Sequence, residues 1–152
     1  DSPDNFFINF LKGATDMIDE IITMMDLVGL AIAFFSLLVG GFGIANIMFV
    51  SVKERTNLIG IQKSLGAKNK FILLQFLFEA VILSLIGGVI GILLVWFISL
   101  TLTYALDFEF VLGFWNVAIG TGVSVFIGII AGIIPAYVAS KLDPVEAIRS
   151  GM

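Results

Sequence analysis

The sequence predicts an all-α membrane protein with three membrane-crossing helices. Three observations carry that expectation. Hydrophobic residues make up 59% of the 152 and charged residues only 13%, against about a quarter charged in a soluble domain. Long uncharged runs recur. Residues 27–52 contain no Asp, Glu, Lys or Arg, residues 71–106 contain only Glu79, and residues 116–137 contain none. The basic residues are also segregated. Five of the eight (Lys53, Arg55, Lys63, Lys68 and Lys70) fall in the short stretch KERTNLIGIQKSLGAKNK, residues 53–70, between the first two runs.

Residues 1–26 read as a stalk helix outside the membrane. Ser2 is the expected N-cap, with Pro3 at the first helical position. Phe7, Leu11, Ala14, Ile18, Ile21, Met25 and Val28 alternate at spacings of four and three, a heptad seam that suits packing against another helix. The other reading is an amphipathic helix lying on lipid. Asp16, Asp19 and Glu20 on the polar face disfavour it, since surface-bound helices carry Lys and Arg there.

Residues 27–52 form the first span, long enough to cross and continuous with the stalk. Its middle, Gly40-Gly41-Phe42-Gly43, permits close helix approach or a bend. Asn46 is expected to face a protein neighbour and hydrogen-bond to it.

Residues 53–70 are a loop on the retained, cytoplasmic side, because Lys and Arg set orientation. Leu58, Ile61 and Leu65 recur at i, i+3, i+7, one face of a short helix that Gly66 ends. Such a helix is either a headgroup anchor or a docking peg for a soluble partner.

The second apolar run would exceed about 50 Å as one helix. The span is therefore placed at residues 71–96, with Trp96 as interfacial anchor. Residues 97–115 form an outer shoulder and external loop. Glu79, inside this span, is expected to face a neighbouring helix or an aqueous vestibule and to pair with a cation. A lone carboxylate is poor evidence for a proton path, and an ion-coupled carrier would require Glu79 for transport. The third span, residues 116–137, carries Gly128, Gly132 and Ala136 as a small-residue packing face, and Pro135 is expected to end or kink it. In the tail, residues 138–152, Asp143-Pro144-Val145-Glu146 reads as N-cap, first helical residue and capping-box acid.

Seven of the eight basic residues then lie on one side. This places residue 1 outside and the C-terminus in the cytoplasm. A translocated start without a signal implies a further helix upstream, so the chain is expected to be the C-terminal part of a longer protein.

Several chemistries are excluded. The chain has no Cys and no His, which removes thiol chemistry and the commonest zinc ligands. Lys63-Ser64 lacks the immediately preceding Gly of a Walker A loop. Ser64 and Ser140 have no His partner, and no carboxylate pair is spaced for catalysis. No cofactor, metal or catalytic residue is expected in this segment, and no nucleic-acid face.

Four runs carry a family resemblance: GGFGIANIMFVSVKERT at 40–56, IGIQKSLGA at 59–67, LLQFLFEA at 73–80 and PAYVASKLDPVEAIR at 135–149. Together they resemble the permease core of MacB-type ABC transporters and, more distantly, the FtsX and LolC/LolE permeases. The resemblance implies helices two to four of a four-helix permease, with the first helix and an extracytoplasmic domain absent here. It implies a coupling helix in the 53–70 loop, where Leu58, Ile61 and Leu65 would fill a groove on an ABC ATPase, flanked by Glu54, Arg55 and Lys63. It also implies a homodimer or heterodimer in a bacterial inner membrane, with ATP and Mg on a fused or separate ATPase. A periplasmic adaptor is a further implied partner. The function implied is mechanotransmission, in which ATP hydrolysis moves the stalk and external domain for efflux or extraction of substrate. The alternative is a regulatory transmembrane scaffold for a cell-wall enzyme or sensor kinase.

Overall fold

The structure, a computed structural model, describes residues 3–106 and 111–150. Ser2, the expected helix cap, and residues 107–110 of the external loop lie outside the described residues. Five helices account for nearly all of the rest: α1 (Pro3–Glu54), α2 (Thr56–Ser64), α3 (Asn69–Leu106), α4 (Phe114–Ser140) and α5 (Pro144–Arg149). Among the described residues there is no strand. Helices α1, α3 and α4 are each long and apolar enough to cross a membrane, so the chain is an all-α, multi-pass membrane protein. This architecture follows from the solvent. Hydrocarbon offers no hydrogen-bond partners, so each spanning segment must satisfy its backbone internally. Hydroxyls on the apolar helices do the same locally, as where Ser36, Thr101 and Thr121 each bond the carbonyl four residues earlier.

The chain divides into two compact units, Asp1–Val39 and Gly40–Met152, with the boundary inside α1. In the first unit the described residues are a helix and nothing else. Phe7, Leu11, Ile18, Ile21 and Met25 of the expected seam are all exposed, and Ala14 is half-buried.

The second unit is built on an antiparallel α3–α4 pair. Gly132 of α4 faces Ala80 of α3, Gly128 faces Ser84 and Val81, Ser124 faces Gly88, and Gly120 faces Ile92. Numbers fall on one helix as they rise on the other. The missing side chains are what allow this approach. A Cβ on Gly128 would lie 2.9 Å from the Val81 Cα, closer than van der Waals contact. The Ser84 hydroxyl donates to the Ser124 carbonyl across the same seam. The small-residue stripe of α4 therefore packs within the chain.

The core lies toward one end of this pair. Met48 and Val52 of α1, Ile59 of α2, Ile72, Phe76 and Ala80 of α3, and Ala136 and Ala139 of α4 form one buried cluster. It explains why, of the two outcomes expected at Pro135, an end or a kink, α4 does not end there but continues to Ser140. A proline inside a helix costs about 3 kcal/mol. Here Pro135, Ala136, Ala139 and Ser140 are all buried, and that packing offsets the lost bond. Helix α3 runs unbroken through Gly87, Gly88 and Gly91 to Leu106.

Candidate functional site

Polar chemistry gathers at the core end of the second unit, where α2 and α5 pack together beside the ends of α1, α3 and α4. Helix α2 is two-sided. Its inner face holds Ile59, which is 1% exposed, and Gly60, against which α5 packs directly. A Cβ at Gly60 would meet the Ala147 Cβ at 2.9 Å, the Ile148 Cγ1 at 3.0 Å and the Pro144 carbonyl at 3.1 Å. Its outer face holds Leu58, Ile61 and Leu65, exposed by 52%, 46% and 84%. The spacing that sequence periodicity picked out is thus the face left open, and a residue it did not single out, Gly60, makes the buried one.

The helix ends as its sequence dictates. Gly66 adopts φ 101°, a left-handed conformation that side chains disfavour. The Gly66 N–H donates to the Lys63 carbonyl and the Ala67 N–H to the Gln62 carbonyl, both at 3.0 Å, the paired bonds of a Schellman stop. Helix α5 begins with the Asp143 carboxylate accepting the Val145 N–H at 2.8 Å and with Pro144 in its first turn. The reciprocal bond expected from Glu146 is absent among the described residues.

Lys63 was expected to place a charge beside the outer face, but the structure turns it inward. Its Nζ donates to the carbonyls of Ser140 and Leu142, each at 2.6 Å. Ser140 is the last residue of α4, where carbonyls lack helical partners and the helix dipole is negative. An ammonium there satisfies both orphan acceptors and clasps α2 to the α4–α5 elbow. Burial pulls the Lys63 pKa below 10.5, Asp143 opposes the shift, and Lys141 adds to it. The physical reason for the inward turn is phase. Lys63 lies three and four residues beyond Gly60 and Ile59, on the face that packs. Periodicity of apolar residues alone does not reveal it, although the lone Lys on the Ile59–Gly60 face is a usable signal.

Glu54 and Arg55 are exposed beside the outer face. Arg55 Nη1 donates to Glu79 Oε2 at 3.1 Å, and the Ser51 hydroxyl reaches the other carboxylate oxygen at 3.5 Å. The intramembrane acid thus has a cationic partner at the α1–α2 junction. Asn46 is exposed on α1, and its side chain has no hydrogen-bond partner among the described residues. No group of His, Cys, Asp or Glu suited to a metal ion occurs among the described residues.

The pattern of the FtsX-like permease C-terminal family matches residues 30–144. The chain is similar to the macrolide export ATP-binding/permease protein MacB of Syntrophobacter fumaroxidans, 45% identical over 147 residues, 97% of this chain and 21% of the relative. It is also similar to an uncharacterised ABC transporter permease, YknZ, of Bacillus subtilis, 48% identical over 119 residues, 78% of this chain and 30% of that protein. A third relative is the probable syringafactin export ATP-binding/permease protein SyfD of Pseudomonas syringae pv. tomato, 41% identical over 145 residues, 95% of this chain and 22% of that protein. The chain therefore spans between 21% and 30% of the length of these relatives.

Proposed function

The chain belongs to the FtsX-like permease family, and from that premise we propose that it is the C-terminal membrane part of an ABC transporter permease with α2 as its coupling helix. The relatives' names, which pair permease with ATP-binding or export roles, support the reading. The observation that carries it is the two-sidedness of α2. Leu58, Ile61 and Leu65 stand outward, while Ile59, Gly60 and Lys63 hold the other face to the bundle. An apolar face fixed from behind and rimmed by Glu54 and Arg55 is suited to seat in a hydrophobic groove with oriented charges around it.

In this proposal ATP and Mg bind an ATPase domain or subunit outside this chain, and this segment does no catalysis. Closure of that ATPase pushes on α2. The Lys63 clasp and the Gly60 contact pass the push to α4 and α5, and the Arg55–Glu79 pair passes it to α1 and α3. The outer N-terminal part of α1 then moves an extracytoplasmic domain. Two permease copies assemble, and the exposed seam from Phe7 to Met25 and the unpartnered Asn46 meet the second copy or a further helix of the same protein. A periplasmic adaptor would act on the external domain. The protein sits in the bacterial inner membrane, with residue 1 outside and the C-terminus in the cytoplasm.

The test is co-purification of the full-length permease with its ATPase, with and without Leu58→Asp plus Ile61→Asp. Both positions are exposed, so insertion and folding are expected to survive. Loss of the ATPase in the variant supports docking on α2. Equal retention moves the dock elsewhere, and no ATPase even with wild type leaves the regulatory scaffold.

A further inference from the structure

Beyond the α2 face, the chain has a second unsatisfied juxtaposition where α2 ends and α3 begins. An open groove of about 590 Å³ is lined there by Leu65, Lys68, Lys70, Phe71 and Leu74. Lys68 and Lys70 are both exposed. Among the described residues the one ion pair is Arg55–Glu79, so neither lysine has an acidic partner. Gly66 holds the geometry. Its left-handed turn closes α2 and leaves Leu65 standing out, across the groove from the first turn of α3.

The apolar wall does not stop at the groove. Phe71, Leu74, Phe78 and Ile82 are all exposed, and their spacings of three, four and four place them on one face of α3. The stripe runs about 16 Å along the helix at 1.5 Å per residue. That is close to half of a hydrocarbon core about 30 Å thick. Two ammonium groups at the mouth and an apolar track one leaflet deep reproduce the layout of a single amphiphile.

The geometry points to a binding site for one anionic diacyl phospholipid. Its phosphate lies between Lys68 and Lys70, and an acyl chain follows Phe71, Leu74, Phe78 and Ile82. A soluble protein partner fits less well, because the stripe continues into an apolar span that such a partner does not enter. The site shares Leu65 with the docking face proposed above. Its charges and its apolar track, Lys68, Lys70 and the α3 stripe, lie outside that face.

The experiment is native mass spectrometry of the full-length protein titrated with phosphatidylglycerol, with phosphatidylcholine as the neutral comparison. Lys68→Gln plus Lys70→Gln is compared with a charge-matched control, Lys53→Gln plus Arg149→Gln. All four positions are exposed, so folding is expected to hold in both. With a surface lysine near anionic lipid contributing about fivefold, the groove variant should bind phosphatidylglycerol about thirtyfold more weakly than wild type. The control should match wild type, and phosphatidylcholine should not compete. Equal binding by wild type and groove variant overturns the site. Equal losses in groove variant and control show diffuse surface charge instead, and also overturn it. Displacement of the lipid by inorganic phosphate refutes the diacyl assignment. Loss of the ATPase with lipid binding intact makes the groove a protein dock and refutes the lipid. The readout is bound lipid mass, so its failure is distinguishable from failure of the α2 docking test.

Discussion

Replacing Lys63 with methionine removes the clasp and little else. The apolar stem is nearly conserved, so packing changes little, while the carbonyls of Ser140 and Leu142 both lose a donor held at 2.6 Å. A typical hydrogen bond contributes about 1 kcal/mol net. The charge of this donor raises that value, and the burial that lowers its pKa reduces it. Taken together the two bonds contribute about 2 kcal/mol. The loss should be local, since Ile59 and the α3–α4 seam are untouched. Hydrogen exchange read by mass spectrometry in a lipid nanodisc is the assay. Protection of α2 and α5 amides should fall by about thirtyfold, the factor for 2 kcal/mol, while α3 and α4 beyond the elbow stay as in wild type. Lys63→Arg keeps the charge and the donors and should restore part of the protection. Unchanged exchange in α2 and α5 of the methionine variant would refute the clasp as a structural element. Uniform loss over all helices would refute its local character.

Three further outcomes are expected. Gly132→Ala drives a Cβ into Ala80, and Gly128→Ala drives one to 2.9 Å from the Val81 Cα. Each should destabilise by about 1–3 kcal/mol in denaturant unfolding, and Ala80→Gly should rescue the first but not the second, because only the first clash is with the Ala80 side chain, whereas the second is with the Ser84 Cβ and the Val81 backbone. A double-mutant cycle on Arg55→Gln and Glu79→Gln should return a coupling below about 1 kcal/mol, given side chains 47% and 29% exposed. A value of several kcal/mol would mean that the pair is far better shielded than its exposure indicates. The alkaline behaviour of Lys63 has a definite sign. Burial lowers its folded pKa below 10.5, so in the window just beneath that value the unfolded chain holds more protons. Stability from this group should therefore rise with pH there, and the difference between wild type and Lys63→Met unfolding midpoints should show that rise.

The membrane class, the three long helices, the short amphipathic helix and the tail helix were legible in the sequence, because each has a local cause. Uncharged runs of 22 residues and more need a lipid solvent. Leu58, Ile61 and Leu65 share a face by helical phase alone, Gly66 stops α2 by its own backbone freedom, and Asp143 with Pro144 starts α5 within four residues. The four motif runs placed the chain in its family. These features require no knowledge of what lies across the fold.

What the tertiary structure decided are the properties that depend on a distant partner. Pro135 reads as a helix end or a kink, and α4 does not end there, because the burial of Ala136, Ala139 and Ser140 outweighs one missing bond. The Gly128–Gly132 stripe has no addressee in sequence, and only the antiparallel approach of α3 shows that it packs within the chain. Lys63 looked like a rim charge until its ammonium was seen on carbonyls 77 and 79 residues away. Asn46 has a protein neighbour as its expected partner, and among the described residues its side chain meets none. Local pattern determines which face a side chain is on. Which neighbour that face meets is set by contacts far apart in the chain, and those determine whether a residue anchors the bundle or is left for a partner.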